Sequence, residues 1–235
     1  MEIIVKNGTS TNLGLMAFWA TFEKKTLLKY IKWHNCEHMA ERVSIPGFQN
    51  GRRYVVDGKP GRFLQFYETK TSSILGSKSY LDALNNPTPW TKEALTWFRE
   101  PVRNIYELIG SSGNSGIFAS PYLIALRFNL EAGKEDLLTI YSNQWLKNLC
   151  KIKNILRARL FQVDENISKI ITSERKIYSG GLGRQRYLVF IEITQSFDQT
   201  INPIKTASSD LFESSHGRCD EYIDHTWLDF SLDKS

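Results

Sequence analysis

One stretch, Trp33-His34-Asn35-Cys36-Glu37-His38-Met39-Ala40-Glu41-Arg42, decides how this chain folds, and it continues through Ile45-Pro46-Gly47-Phe48 to Gly51-Arg52-Arg53-Tyr54. The first part predicts a helix and the last part the strand that follows it. At 100° per residue, His38 lies about 40° and Glu41 about −20° from His34, on the helix face that also carries Leu27, Tyr30 and Ile31. Ionisable groups on an apolar face either line a pocket or need buried partners.

Outward from this helix, the first half of the chain predicts the order strand, helix, strand, strand, helix, strand. The predicted strands span residues 13–21, 52–56, 62–69 and 102–109, and the predicted helices span 23–43, 77–84 and 91–98. Thr88 and Pro89 are expected to cap and begin the last of these helices.

The second half predicts the same order. Strands are predicted over 122–130, 155–163, 186–194 and 222–232, and helices over 134–150 and 204–214. An offset of 107 residues aligns Arg52 with Arg159, whereas an offset of 124 aligns Glu68 with Glu192. The difference, 124 − 107 = 17 residues, predicts an insertion between about residues 165 and 185, as an exposed or mobile loop.

The order βαββαβ is that of the ferredoxin-like arrangement. The sequence therefore predicts an α+β protein, a tandem duplicated ferredoxin-like fold (βαββαβ twice) whose halves close on each other as a pseudo-dimer within one chain. A flexible linker from Gly110 to Gly116 is expected to separate an N-terminal repeat, residues 1–112, from a degenerate C-terminal repeat, residues 117–235.

Composition narrows the class of protein. The net charge of +5 is too modest to imply a nucleic-acid partner. Three widely spaced cysteines without a CxxC pair argue against a disulfide framework and favour a reducing compartment. The start of the chain lacks the pattern of a signal peptide, and no apolar run approaches eighteen residues. We expect a soluble cytoplasmic protein with no membrane partner.

The chain resembles the dimeric α+β barrel superfamily, in its EthD-like and related uncharacterised tandem branch. The resemblance rests on the stretch from Trp33 to Tyr54 and on Tyr80-Leu81-Asp82-Ala83-Leu84-Asn85-Asn86-Pro87-Thr88-Pro89-Trp90-Thr91. The resemblance covers about residues 14–109. Beyond residue 121, mainly the order of helices and strands is shared. The resemblance implies the fold of an intrachain dimeric α+β barrel. The superfamily includes monooxygenases, cyclases, decarboxylases, isomerases and haem enzymes, so the resemblance implies function only loosely.

The residues themselves suggest acid–base chemistry. His34 or His38 could act as a general base at neutral pH, with Glu41 or Glu37 fixing its tautomer. Arg42 or Arg52 could hold an enolate, phenolate or carboxylate oxygen, and Tyr54 and Trp90 are further candidates to contact the ligand. Only one of Arg52 and Arg53 can face a given pocket, because strand residues alternate, and the other is expected to be solvated.

Three alternatives stand beside this hypothesis. The histidines and acids could be structural, paired with neighbouring basic residues. His34, His38 and Glu41 could offer three ligands to a metal, although no further motif supports one and neither a metal nor another cofactor is expected. The basic run around Lys151 and Lys153 is typical of a solvated helix end, so no nucleic-acid binding is expected.

The second repeat has lost the site. The positions of His34, Glu37, His38, Glu41 and Arg42 are taken there by Tyr141, Gln144, Trp145, Asn148 and Leu149. The leading hypothesis is therefore an N-terminal site for a small-molecule enzyme, of cyclase, dehydratase or decarboxylase type, acting on an aromatic or polyketide-like compound. A non-catalytic ligand-binding or assembly module and a cofactor-independent monooxygenase are the alternatives. The partners expected are a small-molecule ligand and a second copy of the chain as a homodimer.

Overall fold

The structure is a computed structural model that describes residues 12–114, 119–195 and 217–234. The chain divides into two compact units. Within the described residues, the N-terminal unit comprises 12–107, 163–183 and 229–234, and the C-terminal unit comprises the remainder. The predicted boundary between residues 112 and 117 stays a prediction. None of the described helices is long and apolar enough to cross a membrane.

The N-terminal unit is built mainly from the first half of the chain. Its strands are β1 (Gly14–Thr21), β2 (Phe48–Val56), β3 (Arg62–Thr69) and the first part of β4 (Arg99–Gly113). Its helices are α1 (Lys24–Trp33), a π-helical turn (His34–His38), α2 (Met39–Ser44), a 3₁₀ turn (Ser72–Gly76), α3 (Lys78–Asn85) and α4 (Pro89–Leu95).

The strands of this unit form an antiparallel sheet with the order β2-β3-β1-β4. The end of the last strand, β9 (Arg218–Asp233), lies next to β2. The sheet packs against the helices through an aromatic-rich core that includes Phe18, Tyr30, Trp33 and Tyr67. β1 is buried along almost its whole length because it is a central strand.

Gly51 allows α2 to approach the sheet closely. A Cβ atom built on Gly51 would lie 2.1 Å from the sulfur of Met39 and 2.9 Å from the ring of Tyr67. Any larger residue would have to displace the Met39 side chain or the Tyr67 ring. Gly51 thus lies at the contact between α2 and the strand that carries Arg53.

The C-terminal unit repeats the strand order with different side chains. Its elements are β5 (Tyr122–Leu130), α5 (Glu135–Leu149), β6 (Ile155–Val163), β8 (Tyr187–Ile193) and the first part of β9. The sheet order is β9-β5-β8-β6, with antiparallel neighbours where β5 and β8 pair. Trp145 and Leu149 of α5 are fully buried in its core.

Most predicted elements are confirmed, several of them within two residues at each end. The strands over 48–56 and 99–113 are longer than predicted, so residues 110–113 extend β4 and are not part of a flexible linker. The predicted helix over 204–214 lies outside the described residues.

The predicted exposed loop over 165–185 is wrong. This segment forms α6 (Glu165–Ser168), α7 (Ser173–Tyr178) and the short strand β7 (Gly181–Leu182), which pairs with β4. Ser168, Thr172 and Glu174 are buried. The offset between the repeats locates an insertion but does not reveal its contacts, and these polar groups have partners within the N-terminal unit.

The predicted cap of α4 is confirmed, with Thr88 accepting a hydrogen bond from the Thr91 amide and Pro89 at the start of the helix. The Thr88 hydroxyl also donates to Glu37 at 2.7 Å. We expect Thr88→Ala to lower the free energy of unfolding by about 1 kcal/mol, measured by urea titration. Thr88→Ser keeps the oxygen, so equal losses in the two variants would contradict a capping role.

Candidate functional site

A π-helical turn interrupts the helix where the two histidines lie. The amide of Met39 donates to the carbonyl of His34, five residues earlier, instead of to the residue four earlier. Such turns occur as single insertions in α-helices, often at functional sites. Both histidines point to the buried side, with ring centroids 5.7 Å apart, and the His38 ring packs on Trp33 at 4.3 Å.

His34 is held by two neighbours. Arg53 Nη1 lies 2.9 Å from His34 Nδ1, and the Tyr67 hydroxyl lies 3.4 Å from His34 Nε2. Because a guanidinium only donates, Nδ1 must accept and the ring proton is assigned to Nε2. Burial, and secondarily the positive charge of Arg53, place the pKa of His34 well below its usual value of 6.5. His34 is thus a neutral, fixed side chain.

Arg53 is itself a buried anchor. Its Nε donates to Asp229 Oδ2 at 2.6 Å, and its guanidinium lies 5.5 to 5.7 Å from the rings of Tyr30, Phe63 and Phe230. The carboxylate satisfies the charge, and the rings add favourable cation–π contacts. Arg53 therefore links β2, the histidine helix and the end of β9 within the N-terminal unit.

His38, in contrast, lines a cavity. Its Nδ1 is buried and has no hydrogen-bond partner within the described part of the chain. Burial, followed by the charge of Arg42 and the proximity of His34, places the pKa of His38 well below 6.5. The imidazole is therefore neutral at physiological pH, and one of its nitrogens is free to bind a ligand atom.

Arg42 shares this cavity. Its Nη2 donates a short hydrogen bond to Glu174 Oε1, and Glu41 Oε2 lies 3.8 Å from the same nitrogen. Its Nη1 is buried and, within the described ranges, finds no acceptor. An unpaired buried guanidinium nitrogen costs free energy unless something accepts from it. Arg42 can therefore take an anionic oxygen on one side while Glu174 holds the other.

The cavity is small and mixed in character. Its volume is about 30 Å³, room for about two water molecules. Phe18, Phe98, Tyr80 and Tyr178 supply aromatic walls, and the polar walls come from His38, Arg42, Gln65, Arg103, Thr172 and Glu174. Arg103 Nη2 donates to the Tyr80 hydroxyl at 3.3 Å. An aromatic ligand larger than a few atoms would need the walls to move apart.

The pKa of Glu174 is shifted in the opposite direction from the pKa values of the two histidines. Burial raises its pKa to about 7, against the opposing attraction of Arg42. Its hydrogen bond to a guanidinium keeps the ionised form accessible. The cavity thus holds a carboxyl group that exchanges its proton near neutral pH beside an imidazole that stays neutral there.

The other sequence-predicted residues are dispersed. Glu41 Oε2 is 3.9 Å from His38 Nδ1, beyond hydrogen-bond distance, so Glu41 does not orient that ring. Arg52 pairs with Asp233 at 2.7 Å, and Tyr54 stacks on Phe66 at 5.8 Å. Trp90 packs at the edge of the core. Arg52, Tyr54 and Trp90 do not line the cavity, and their role in binding stays a prediction.

The structure also places Arg53, Glu37 and the candidate metal ligands. Strand alternation turns Arg53 toward the histidine helix, where it is 1% exposed, so the expectation that the arginine other than Arg52 is solvated is wrong. Arg52 is 8% exposed. Glu37, the alternative orienter, instead accepts from Thr88 and Thr91. In the part of the chain that the structure describes, no three His, Cys, Asp or Glu side chains are grouped to hold a metal.

Sequence reasoning missed Glu174, Arg103 and Gln65 as cavity residues. Gln65 accepts from the Tyr30 hydroxyl at 3.1 Å and lies on the same face of β3 as Phe63 and Tyr67. The period-2 pattern of β3 could have placed it. Nothing in the local sequence distinguishes Glu174 from a surface acid, because its partner Arg42 is 132 positions away.

Comparison with solved structures identifies the fold. A protein described as anthrone oxidase-like matches with a TM-score of 0.63 and 8% identity, over 96% of this chain and 94% of that chain. A candidate monooxygenase from Fusobacterium nucleatum matches with a TM-score of 0.62 and 7% identity, over 96% of each chain. A candidate chlorite dismutase matches with a TM-score of 0.53 and 9% identity, over 94% and 96%.

The chain shares the α+β fold of these proteins. At such identities the likeness shows the fold alone. No protein-family model matches the sequence, and no curated protein is significantly similar to it. The EthD-like branch stays a prediction.

Proposed function

We propose that the chain is a small-molecule enzyme of the acid–base type and that the cavity of the N-terminal unit is its active site. The observation that carries this proposal is His38, a buried neutral imidazole on the cavity wall whose Nδ1 has no hydrogen-bond partner among the described residues. Buried polar groups in proteins are nearly always paired, so an exception facing a cavity is typical of a ligand contact.

His38 and Arg42 have complementary roles in this proposal. The neutral imidazole takes a proton from a carbon next to a carbonyl, and the unpaired Arg42 Nη1 donates to the oxygen on which negative charge develops. The growing charge on the ligand raises the basicity of His38 during the transfer, which offsets its low resting pKa. Trp33, packed against the ring, holds the imidazole in place.

The substrate class follows from the cavity walls. Two arginines, Arg42 and Arg103, favour a compound with an acidic or carbonyl oxygen, and the four aromatic walls favour a flat carbon skeleton. Cyclisation, dehydration or decarboxylation of an aromatic or polyketide-like compound would suit this chemistry. The volume of about 30 Å³ requires such a compound to enter by displacing side chains or to insert only its reacting end.

A cofactor-independent monooxygenase is the second candidate. It is favoured by the likeness in fold to proteins described as anthrone oxidase-like and as a candidate monooxygenase. In that case the same base would form a carbanion that then reacts with molecular oxygen. The first step is common to both candidates, so one assay can examine both.

We also propose that the chain is a tandem ferredoxin-like protein with its active site in the N-terminal repeat. The strand order 4-1-3-2 in each unit and the matching element order support this interpretation. The helix α5 carries Trp145 and Leu149, both buried, where the first repeat has His38 and Arg42. The C-terminal repeat would then serve as a structural partner. A homodimer of the chain remains a prediction.

We expect the protein to catalyse exchange of carbon-bound protons for deuterium in D₂O, and His38→Gln to lose this activity by about 100-fold or more. Glutamine keeps a polar group at the position but cannot accept the proton. The exchange is measured by proton NMR with two probes, pyruvate, which is small, and anthrone, which is flat and aromatic. Oxygen consumption with anthrone is recorded in parallel.

His225→Gln, in the C-terminal unit, is the matched control and should leave the exchange rate unchanged. Exchange without oxygen consumption supports acid–base chemistry, and exchange with consumption supports the monooxygenase. A protein that binds either probe but exchanges no proton is a non-catalytic binding module. Wild-type protein that neither binds nor exchanges would overturn the assignment of the site.

A further inference from the structure

Glu174 reaches the cavity from the inserted segment. It is 5% exposed, lies on α7 and lines the cavity together with His38 and Arg42. The proposed base His38 and Glu174 come from two different helical segments that line the same space, so a ligand bound there can contact both groups.

The inserted segment is firmly attached within the N-terminal unit. Ser168 Oγ both accepts from the amide and donates to the carbonyl of Ile105, at 2.8 and 3.1 Å. Asn85 Oδ1 accepts from the Ser173 amide at 2.9 Å, and Arg175 donates to the carbonyls of Ser168 and Ile170. Because Ser168 and Ser173 before Glu174 are bonded to the N-terminal unit and β7 after it pairs with β4, the position of Glu174 is set by the fold and not by a loose loop.

The charges around Glu174 come from several elements. Arg42 and Glu41 face it from α2, and Arg103 faces it from β4. Tyr67 of β3 and Tyr178 of α7 interact with it electrostatically. Helices α3 and α4 both pack on α7. Their charged residues are Lys78 and Asp82 on α3 and Lys92 and Glu93 on α4, and all four are exposed, whereas the titratable Tyr80 of α3 is buried. Protonation of Glu174 would remove its negative charge from beside Arg42 and Arg103.

We propose that Glu174 is the general acid of this site, donating its carboxyl proton to the ligand oxygen while His38 accepts the carbon-bound proton. This inference rests on the proposed function. The C–H bond breaks as an N–H bond forms on His38, and the carboxyl O–H bond breaks as an O–H bond forms on the ligand. The product is the enol, no electrons leave the system, and the reverse transfers restore both residues.

The difference in pKa between His38 and Glu174 supports these roles. A low pKa keeps His38 unprotonated and able to accept, whereas the raised pKa of Glu174, about 7, keeps a large share of it protonated and able to donate. Pairs of groups whose environments push their pKa values apart in this way are typical acid–base partners. After Glu174 has donated its proton, the guanidinium of Arg42 pairs with the resulting carboxylate.

The test compares Glu174→Gln with wild type in the deuterium-exchange assay across pH. Wild-type exchange should fall as pH rises through about 7, because the donor is then deprotonated. Glu174→Gln should lower the rate by about 10²-fold or more and remove this decline. Glu165→Gln, an exposed acid of the same insertion, is the matched control and should keep the wild-type profile.

Infrared difference spectra between pH 6 and pH 8 supply a readout that needs no substrate. The protonated-carboxyl band should disappear at the higher pH in wild type and be missing from the difference spectrum of Glu174→Gln. A wild type that exchanges protons with a profile identical to that of Glu174→Gln would overturn the role of Glu174 alone. Absence of exchange in wild type, with the infrared band present, would instead overturn the proposed function.

Discussion

Replacing Arg53 by methionine should lower the free energy of unfolding by about 3 kcal/mol. The substitution keeps the apolar stem but removes the donors to His34 Nδ1 and to Asp229 Oδ2. His34 is fully buried, so its Nδ1 does not regain a partner from bulk water without rearrangement, whereas Asp229, 25% exposed at its side chain, regains part of its hydration. Urea denaturation measures the loss.

Arg52→Met is the matched control, one position away on the same strand. Its partner Asp233 is 59% exposed at the side chain and regains solvent when the pair is broken. The expected loss is about 1 kcal/mol or less. Equal losses at the two positions would contradict the claim that Arg53 is the buried anchor. A double-mutant cycle with Asp229→Asn isolates the ion-pair contribution.

Arg53→Met should also allow the ring proton of His34 to occupy either nitrogen. In wild type, the guanidinium forces Nδ1 to accept, so the ring proton resides on Nε2. Histidine-selective ¹⁵N NMR observes this directly, and the chain has only four histidines to assign. A His34 signal that already shows mixed tautomers in wild type would mean that Arg53 does not fix the ring.

The secondary structure was largely predictable because local patterns dominate it. β3 and β5 have the predicted bounds, Arg62–Thr69 and Tyr122–Leu130, since their alternating or continuous apolar runs end at turn residues. β4 extends past Ile109 because residues 110–113 continue the strand, although glycine and serine have low strand propensity. Pairing partners override such propensities, and a local pattern does not reveal the partners.

The candidate site was predictable only in part. The helix face correctly brought His34 and His38 together, but the π-helical turn was not visible in the residue pattern. Choosing between Arg52 and Arg53 required knowing which face of β2 meets the helix. Gly51 carries that information, because its close approach to Met39 puts residues 51 and 53 on the helix side. Glu174 could not be found, since its burial depends on contacts distant in sequence.

The free energy of unfolding should depend on pH through the shifted pKa values of His34, His38 and Glu174. An unfolded histidine titrates near pH 6.5, whereas both buried histidines have lowered pKa values. Below pH 6.5 the unfolded state therefore binds more protons at these two positions, and stability falls with decreasing pH. Each histidine contributes a slope of up to about 1.4 kcal/mol per pH unit.

Glu174 acts in the opposite direction. Its pKa is about 7 in the folded protein and about 4.3 when unfolded, so between these values the folded state binds the extra proton. Its contribution to stability is fully present below the unfolded pKa and is lost as pH rises through about 7. Between about pH 5 and 6, two histidines oppose one carboxyl, which leaves a net loss of about 1.4 kcal/mol per pH unit on acidification.

Variants separate these contributions because they change the slope in opposite directions. His38→Gln removes one of the two destabilising titrations, so its stability should be nearly independent of pH between about 5 and 6. Glu174→Gln removes the opposing titration, so its slope should steepen to about 2.7 kcal/mol per pH unit. Urea midpoints measured at several pH values give the slopes. If the two variants shift the slope in the same direction, the buried groups do not have the protonation states that the acid–base site requires.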